Sequence, residues 1–128
     1  MTLLSSTTEN AYIDSVREGL SYEAFEALRD KLELTSEDLA RILGIPRRTV
    51  AKRAKDGRFR PSESNALARV DRIYTEAEGF FEQPDRTLSW LKTPLPALGA
   101  APLELLDTDP GAAAVSELLT QLAWGIYP

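Results

Sequence analysis

The sequence predicts an all-α fold, on three observations. Apolar residues recur at steps of three and four in one segment after another, the spacing that lines one face of a helix. These segments are bounded by hydroxyl caps, prolines and glycines, the residues that start and stop helices. No run alternates apolar and polar residues over the length a strand needs.

The elements follow in chain order. In residues 1–20, Tyr12, Ile13, Val16 and Leu20 keep helical spacing but Gly19 weakens it, leaving a frayed arm or a short docked helix. Ser21 is placed to cap a helix bearing Tyr22, Phe25, Leu28 and Leu32. Thr35-Ser36-Glu37-Asp38 opens the next helix, a hydroxyl followed by acids that complement the positive end of the helix dipole. That helix carries Leu39, Ala40, Ile42 and Leu43 and stops at Gly44. Pro46 suits the first turn of a new helix, which runs to about Lys55 and ends at Gly57. A longer helix starts at Pro61, with Leu67, Val70, Ile73, Tyr74, Ala77, Phe80 and Phe81 as its apolar stripe. Pro84-Asp85 breaks it, and a short helix follows around Leu88, Trp90 and Leu91. Three prolines between Thr93 and Pro102 predict a fixed loop, and Pro102 to Leu106 a single helical turn. Asp107 to Gly111 is turn and cap chemistry. The last helix presents Val115, Leu118, Leu119 and Leu122 and ends near Gly125.

Composition narrows the chemistry. A chain of 128 residues, 43% hydrophobic and 27% charged, has the balance of one ordinary globular domain or two small units sharing a core. The absence of Cys removes disulfides, thiolate nucleophiles and zinc–thiolate sites; the absence of His removes the commonest metal ligand and general base. No catalytic residue, metal or cofactor is therefore expected. An enzyme would need a carboxylate pair such as Asp107 and Asp109, which more simply cap the last helix. With no visible secretory signal and no apolar run of ~20 residues, a cytoplasmic protein with no membrane partner is expected.

Charge is distributed unevenly. Eight of the fifteen basic residues lie within positions 41–60: Arg41, Arg47, Arg48, Lys52, Arg53, Lys55, Arg58 and Arg60. Asp56 is the only acid there, so the local charge is +7 in a chain of net −5. A basic island in an acidic chain points to a phosphate backbone, because Lys and Arg displace its condensed counterions. The island also carries helix-turn-helix spacing. Counting Ser36 as position 1, apolar or small residues are wanted at 4, 5, 8, 10 and 15, and a glycine at 9. Leu39, Ala40, Leu43, Ile45 and Val50 meet the first requirement and Gly44 the second. Position 18 departs from the pattern: it is Arg53, whose stem is expected to cover the core while its head reaches outward.

The outer face of the second helix is then Arg47, Arg48, Ala51, Lys52 and Lys55, the face that enters a major groove in such units. Arg47 and Arg48 are placed to read guanine edges, and the Ala51 methyl to touch thymine. Lys52, Lys55, Arg58 and Arg60 suit phosphate contacts. One unit offers few contacts, so operator binding implies a homodimer reading two half-sites about 34 Å apart.

DNA binding leaves the C-terminal part unexplained. From Glu82 onward the charged residues sum to −4, and Trp90, Leu91, Leu95, Leu98, Leu103, Leu105, Trp124, Ile126 and Tyr127 sit in short elements. Most should close a small core. The aromatic run Ala123 to Pro128 instead suggests a partner surface, since chain ends are usually polar.

At this point a resemblance becomes specific. Leu43 to Val50, Pro61 to Ser64 and Ala68-Arg69-Val70 resemble the Xre/MbcA/ParS family of antitoxins. So do Trp90-Leu91, Pro94, Leu98-Gly99, Pro102 to Thr108, Gly111, Val115 and Gly125-Ile126-Tyr127. The likeness covers about residues 22–128 and departs from the family pattern at Asn65-Ala66 and Ala100-Ala101. It implies a DNA-binding unit at 21–60, a connecting helix at 61–81 and a toxin-binding domain at 82–128, with 1–20 as an N-terminal arm. The implied partners are operator DNA and a cognate RES-fold toxin that acts on NAD, degrading it or transferring its ADP-ribose. Antitoxins of this kind cover the toxin's active-site entrance, and the complex represses its own operon. The residues so assigned to toxin contact are Trp90, Leu98, Gly99, Pro102, Leu103, Trp124, Gly125, Ile126, Tyr127 and Pro128. The Pro128 carboxylate is further read as available to a toxin arginine. A free-standing dimeric regulator, whose C-terminal half only dimerises, is the alternative.

Overall fold

One long helix organises the chain. The computed structural model describes residues 2–125, with side chains from Asn10 onward. Within it, α5 (Pro61–Phe81) packs against α1 (Thr2–Glu18), α2 (Tyr22–Lys31), α3 (Ser36–Leu43), α6 (Pro84–Lys92) and α7 (Asp109–Ala123). The remaining elements are α4 (Arg47–Asp56) and a 3₁₀ turn, Pro102–Leu105. No strand forms among the described residues, so the all-α expectation holds.

Two threonines start helices as their chemistry requires. Thr35 Oγ1 accepts the Asp38 N–H at 3.0 Å, and Thr108 Oγ1 accepts the Gly111 N–H at 3.1 Å. Ser21 sits at the α2 N-cap position, but its hydroxyl makes no cap bond. The chain around it is held from afar instead. Leu20 N–H donates to the buried Ser64 Oγ at 2.7 Å, Phe59 N–H to Leu20 C=O at 2.8 Å, and Tyr22 N–H to Gly57 C=O at 2.9 Å. This seam zips the start of α2 to the exit of α4.

Residues 2–18 form a docked helix, which settles the choice left open by sequence spacing. Gly19 terminates it: φ is +106°, and a Cβ there would lie 2.2 Å from the Phe59 carbonyl oxygen. The residue that weakened the helical reading is the one that lets α1 end against the seam.

The core is continuous from Phe25 and Leu28 through Leu39, Val50, Leu67, Val70 and Ile73 to Leu91, Leu106, Val115 and Leu119. Phe59, absent from any periodic pattern, is 1% exposed, stacks on Tyr22 at a ring distance of 5.9 Å and packs tilted on Phe25 at 5.7 Å. Phe80 is the reverse case. It continues the α5 stripe in sequence but is 39% exposed, beside a depression that Leu119, Thr120 and Ala123 of α7 also line.

Arg53 corrects the helix-turn-helix reading. Its head does not reach outward: the side chain is buried and pairs with Glu63 through two bonds, Nε to Oε1 at 2.7 Å and Nη2 to Oε2 at 3.1 Å. Asp56 takes Nη1 at 3.1 Å. A fork-to-fork pair of this kind satisfies a guanidinium that apolar neighbours cannot. Glu63 Oε1 also accepts the Arg60 N–H at 2.9 Å, so the same carboxylate caps α5.

The Arg53 hydrogen bonds hold the Glu63 carboxyl below its ordinary value of 4.5, outweighing burial, which acts the other way. A carboxyl with a lowered folded value stabilises the fold above its unfolded value and loses that contribution as pH falls through the folded one. Melting temperature should therefore drop as pH falls below about 4.5, and Glu63→Gln should flatten that limb. A melting series from pH 3 to 7 on both proteins checks this; parallel curves would exclude Glu63 as the source.

Candidate nucleic-acid and partner interfaces

The first two helices of the turn motif are fixed by sequence at their junction. Gly44 closes α3 in the left-handed region at φ +74°, and Ile45 buries itself behind it. Pro46 then holds the chain extended before α4. Val50 and Arg53 face inward, which turns the opposite side of α4 to solvent. Arg47, Arg48, Ala51, Lys52 and Lys55 are all exposed there, at successive steps of one and three. Arg58 and Arg60 are exposed just beyond Gly57, whose φ of +82° turns the chain off the helix.

The basic island thus divides by role. Arg53 is internal, and Arg41 is tied to Glu104 and, at 3.7 Å, to Asp38. Arg47 lies 3.5 Å from Glu37. Among the described residues, Arg48, Lys52, Lys55, Arg58 and Arg60 have no ion-pair partner. The seven residues expected to meet DNA are therefore all exposed, and the two basic residues of the island outside that set are held by acids of the fold.

The expected partner-contact residues divide differently. Trp90 is half-buried against the Phe81 ring at 5.5 Å, beside a shallow depression that also holds Arg86, Ser89 and Leu95. Leu98 is half-buried and Gly99 exposed at φ +72°, in a loop pinned by Leu95 N–H to Ala100 C=O at 3.2 Å and Gly99 N–H to Leu95 C=O at 2.9 Å. Pro102 and Leu103 are buried, so they hold this loop to the core and offer no surface for contact. Their burial does not fit the expectation of direct contact: the 3₁₀ turn that carries them packs against α3, α6 and α7. Trp124 is 79% exposed, and Gly125 is exposed at the end of α7. Ile126, Tyr127 and Pro128 lie outside the described residues.

Two polar ties that periodicity does not reveal join the regions. Arg69 on α5 donates to the Leu106 C=O at 2.8 Å, the Asp107 C=O at 3.2 Å and Asp109 Oδ1 at 3.0 Å. The Arg41–Glu104 pair joins α3 to the 3₁₀ turn. Nothing local in the sequence sets Arg69 apart from Arg72, three residues on, so no signal marked the first. Among the described residues no cluster of acidic side chains could hold a metal, and no helix is long and apolar enough to cross a membrane.

Known proteins account for both regions. Residues 11–70 match the model of the antitoxin Xre-like helix-turn-helix domain. Residues 76–125 match that of the antitoxin Xre/MbcA/ParS C-terminal toxin-binding domain. An Antitoxin Xre from Yersinia enterocolitica is 30% identical over 97% of this chain and 86% of its own length. An Antitoxin Xre from Pseudomonas putida is 34% identical over 63% of this chain and 52% of its own length. A Prs ADP-ribosylating antitoxin from a Sphingobium species is 47% identical over 41% of this chain and 33% of its own length. With a helix-turn-helix followed by a toxin-binding domain along nearly its whole length, the chain belongs to the Xre family of antitoxins.

Proposed function

We propose that this antitoxin neutralises a RES-fold toxin acting on NAD by covering its active-site entrance, and that it represses its own operon as a dimer through α4. The observation that carries the reading is one continuous core with two unlike surfaces. One is the cationic outer face of α4; the other is an acidic, apolar-ended region closing on an exposed Trp124. Tryptophan left in water is costly, and tryptophan is enriched among residues that dominate protein interfaces. The printed name of the Sphingobium relative, a Prs ADP-ribosylating antitoxin, supports a toxin partner that handles ADP-ribose.

In this reading residues 21–60 are the DNA-binding unit, 61–81 the connecting helix and 82–128 the toxin-binding domain, with 1–20 as an N-terminal arm. Arg47 and Arg48 read base edges, Ala51 packs on a thymine methyl, and Lys52, Lys55, Arg58 and Arg60 hold phosphates. Trp90, Leu98, Gly99 and the segment from Trp124 to Pro128 meet the toxin. Neutralisation is by occlusion and needs no chemistry from this chain.

The test separates the two surfaces. Arg47→Ala with Arg48→Ala should weaken binding to the promoter fragment of its own gene by at least about tenfold, since each bidentate guanine contact contributes about 1–3 kcal/mol. The same variant should still protect cells expressing the toxin. Wild-type affinity should fall with salt at a logarithmic slope of about −0.9 per phosphate held. A double variant that shifts the promoter fragment normally would move the reading face off α4.

A further inference from the structure

Sequence treats Arg47 and Arg48 alike, yet the structure gives them different surroundings. Arg47 is the first residue of α4 and Glu37 the second of α3, and Nη1 of the one lies 3.5 Å from Oε1 of the other. The pair borders a shallow depression whose other walls are Tyr22, Ser36, Ala40, Val50 and Ala51. Arg48 has no ion-pair partner among the described residues. Asp38, the other acid at this end of α3, lies with Arg41, which Glu104 also holds.

We infer that Glu37 is a specificity residue, which positions Arg47 for a guanine edge and keeps it from serving as a general phosphate contact. The inference rests on the reading of α4 as the DNA-reading helix. An acid on a DNA-facing surface opposes phosphates, so its presence there calls for a compensating role. A carboxylate takes one edge of a guanidinium and leaves the others to donate to guanine O6 and N7. It also neutralises Arg47, which reduces the counterion release that drives sequence-independent binding. As an exposed pair its effect on fold stability is small; its effect is on what Arg47 prefers to bind.

The experiment compares Glu37→Gln with wild type on two duplexes, the promoter fragment of its own gene and a random-sequence duplex of equal length. One extra phosphate contact steepens the salt slope by about 0.9, which is up to about tenfold in affinity near 0.1 M salt. Glu37→Gln should therefore tighten random-duplex binding by about three- to tenfold while promoter binding changes by less than about twofold, so discrimination falls. In an Arg47→Ala background the same substitution should leave discrimination unchanged, because the side chain it acts through is gone. An unchanged ratio in Glu37→Gln, or an equal fall in the Arg47→Ala background, overturns the inference while leaving α4 as the reading helix. Failure of the wild-type chain to bind either duplex overturns both.

Discussion

Replacing Phe59 with Ala should destabilise the chain by about 3–5 kcal/mol, the range for removing a buried aromatic ring. Phe59 is 1% exposed and packs against the rings of Tyr22 and Phe25, so the vacated volume cannot refill without moving α2. Its backbone N–H also holds Leu20, in the seam that joins the start of α2 to the exit of α4. Against a total stability of about 5–15 kcal/mol, a loss of this size is a large fraction. Denaturant unfolding measures it. Arg58 and Arg60 flank Phe59, so promoter affinity should fall along with stability. A loss below about 1 kcal/mol would mean that the aromatic cluster packs more loosely than described.

Gly111→Ala should destabilise although intrinsic helix preference predicts the opposite. Alanine is favoured over glycine in a helix by about 0.8–1.0 kcal/mol. At Gly111, however, a Cβ would lie 1.8 Å from the Leu105 carbonyl oxygen and 2.9 Å from its carbon. Those are backbone atoms of the 3₁₀ turn, which Arg69 fixes through the neighbouring Leu106 and Asp107 carbonyls. The strain should meet or exceed the about 1–3 kcal/mol of ordinary overpacking. Gly79, within α5, is the internal control: a Cβ there meets nothing within 4 Å. Gly79→Ala should raise stability by about 0.5–1 kcal/mol. Opposite signs for two Gly→Ala changes in helices would confirm the close approach of α7 to the 3₁₀ turn. Stabilisation by both would refute it.

These residues also mark where sequence reading stops. The Thr35 cap, the Gly44 turn and the stripes of α2, α3, α5 and α7 are local features, and local spacing reveals them; the cap of α7 is Thr108, not the Asp107 and Asp109 expected. The cationic face of α4 was legible for the same reason: Val50 fixes which side is inward, and the exposed residues follow by rotation. Phe59 was not legible, because it lies between two arginines outside any periodic segment and is buried by long-range packing. Arg53 was misread because its partner Glu63 is ten residues away on another helix, where an acid looks like a first-turn cap. It is that as well, through the Arg60 N–H. Pro102 and Leu103 stand in a motif shared with toxin-binding domains, and motif membership does not separate contact residues from those that shape the loop behind them. Burial distinguishes them in one respect only, leaving Trp124 outward and Leu103 inward.

The division of labour leads to one decisive comparison. Cells expressing the cognate toxin are supplied with either the full chain or the chain ending at Trp124, and growth is recorded together with promoter binding by each protein. Growth rescued by the full chain and lost with the shorter one, while both bind the promoter fragment equally, is the predicted result. Equal rescue by the shorter chain would contradict the assignment of residues 125–128 to toxin occlusion.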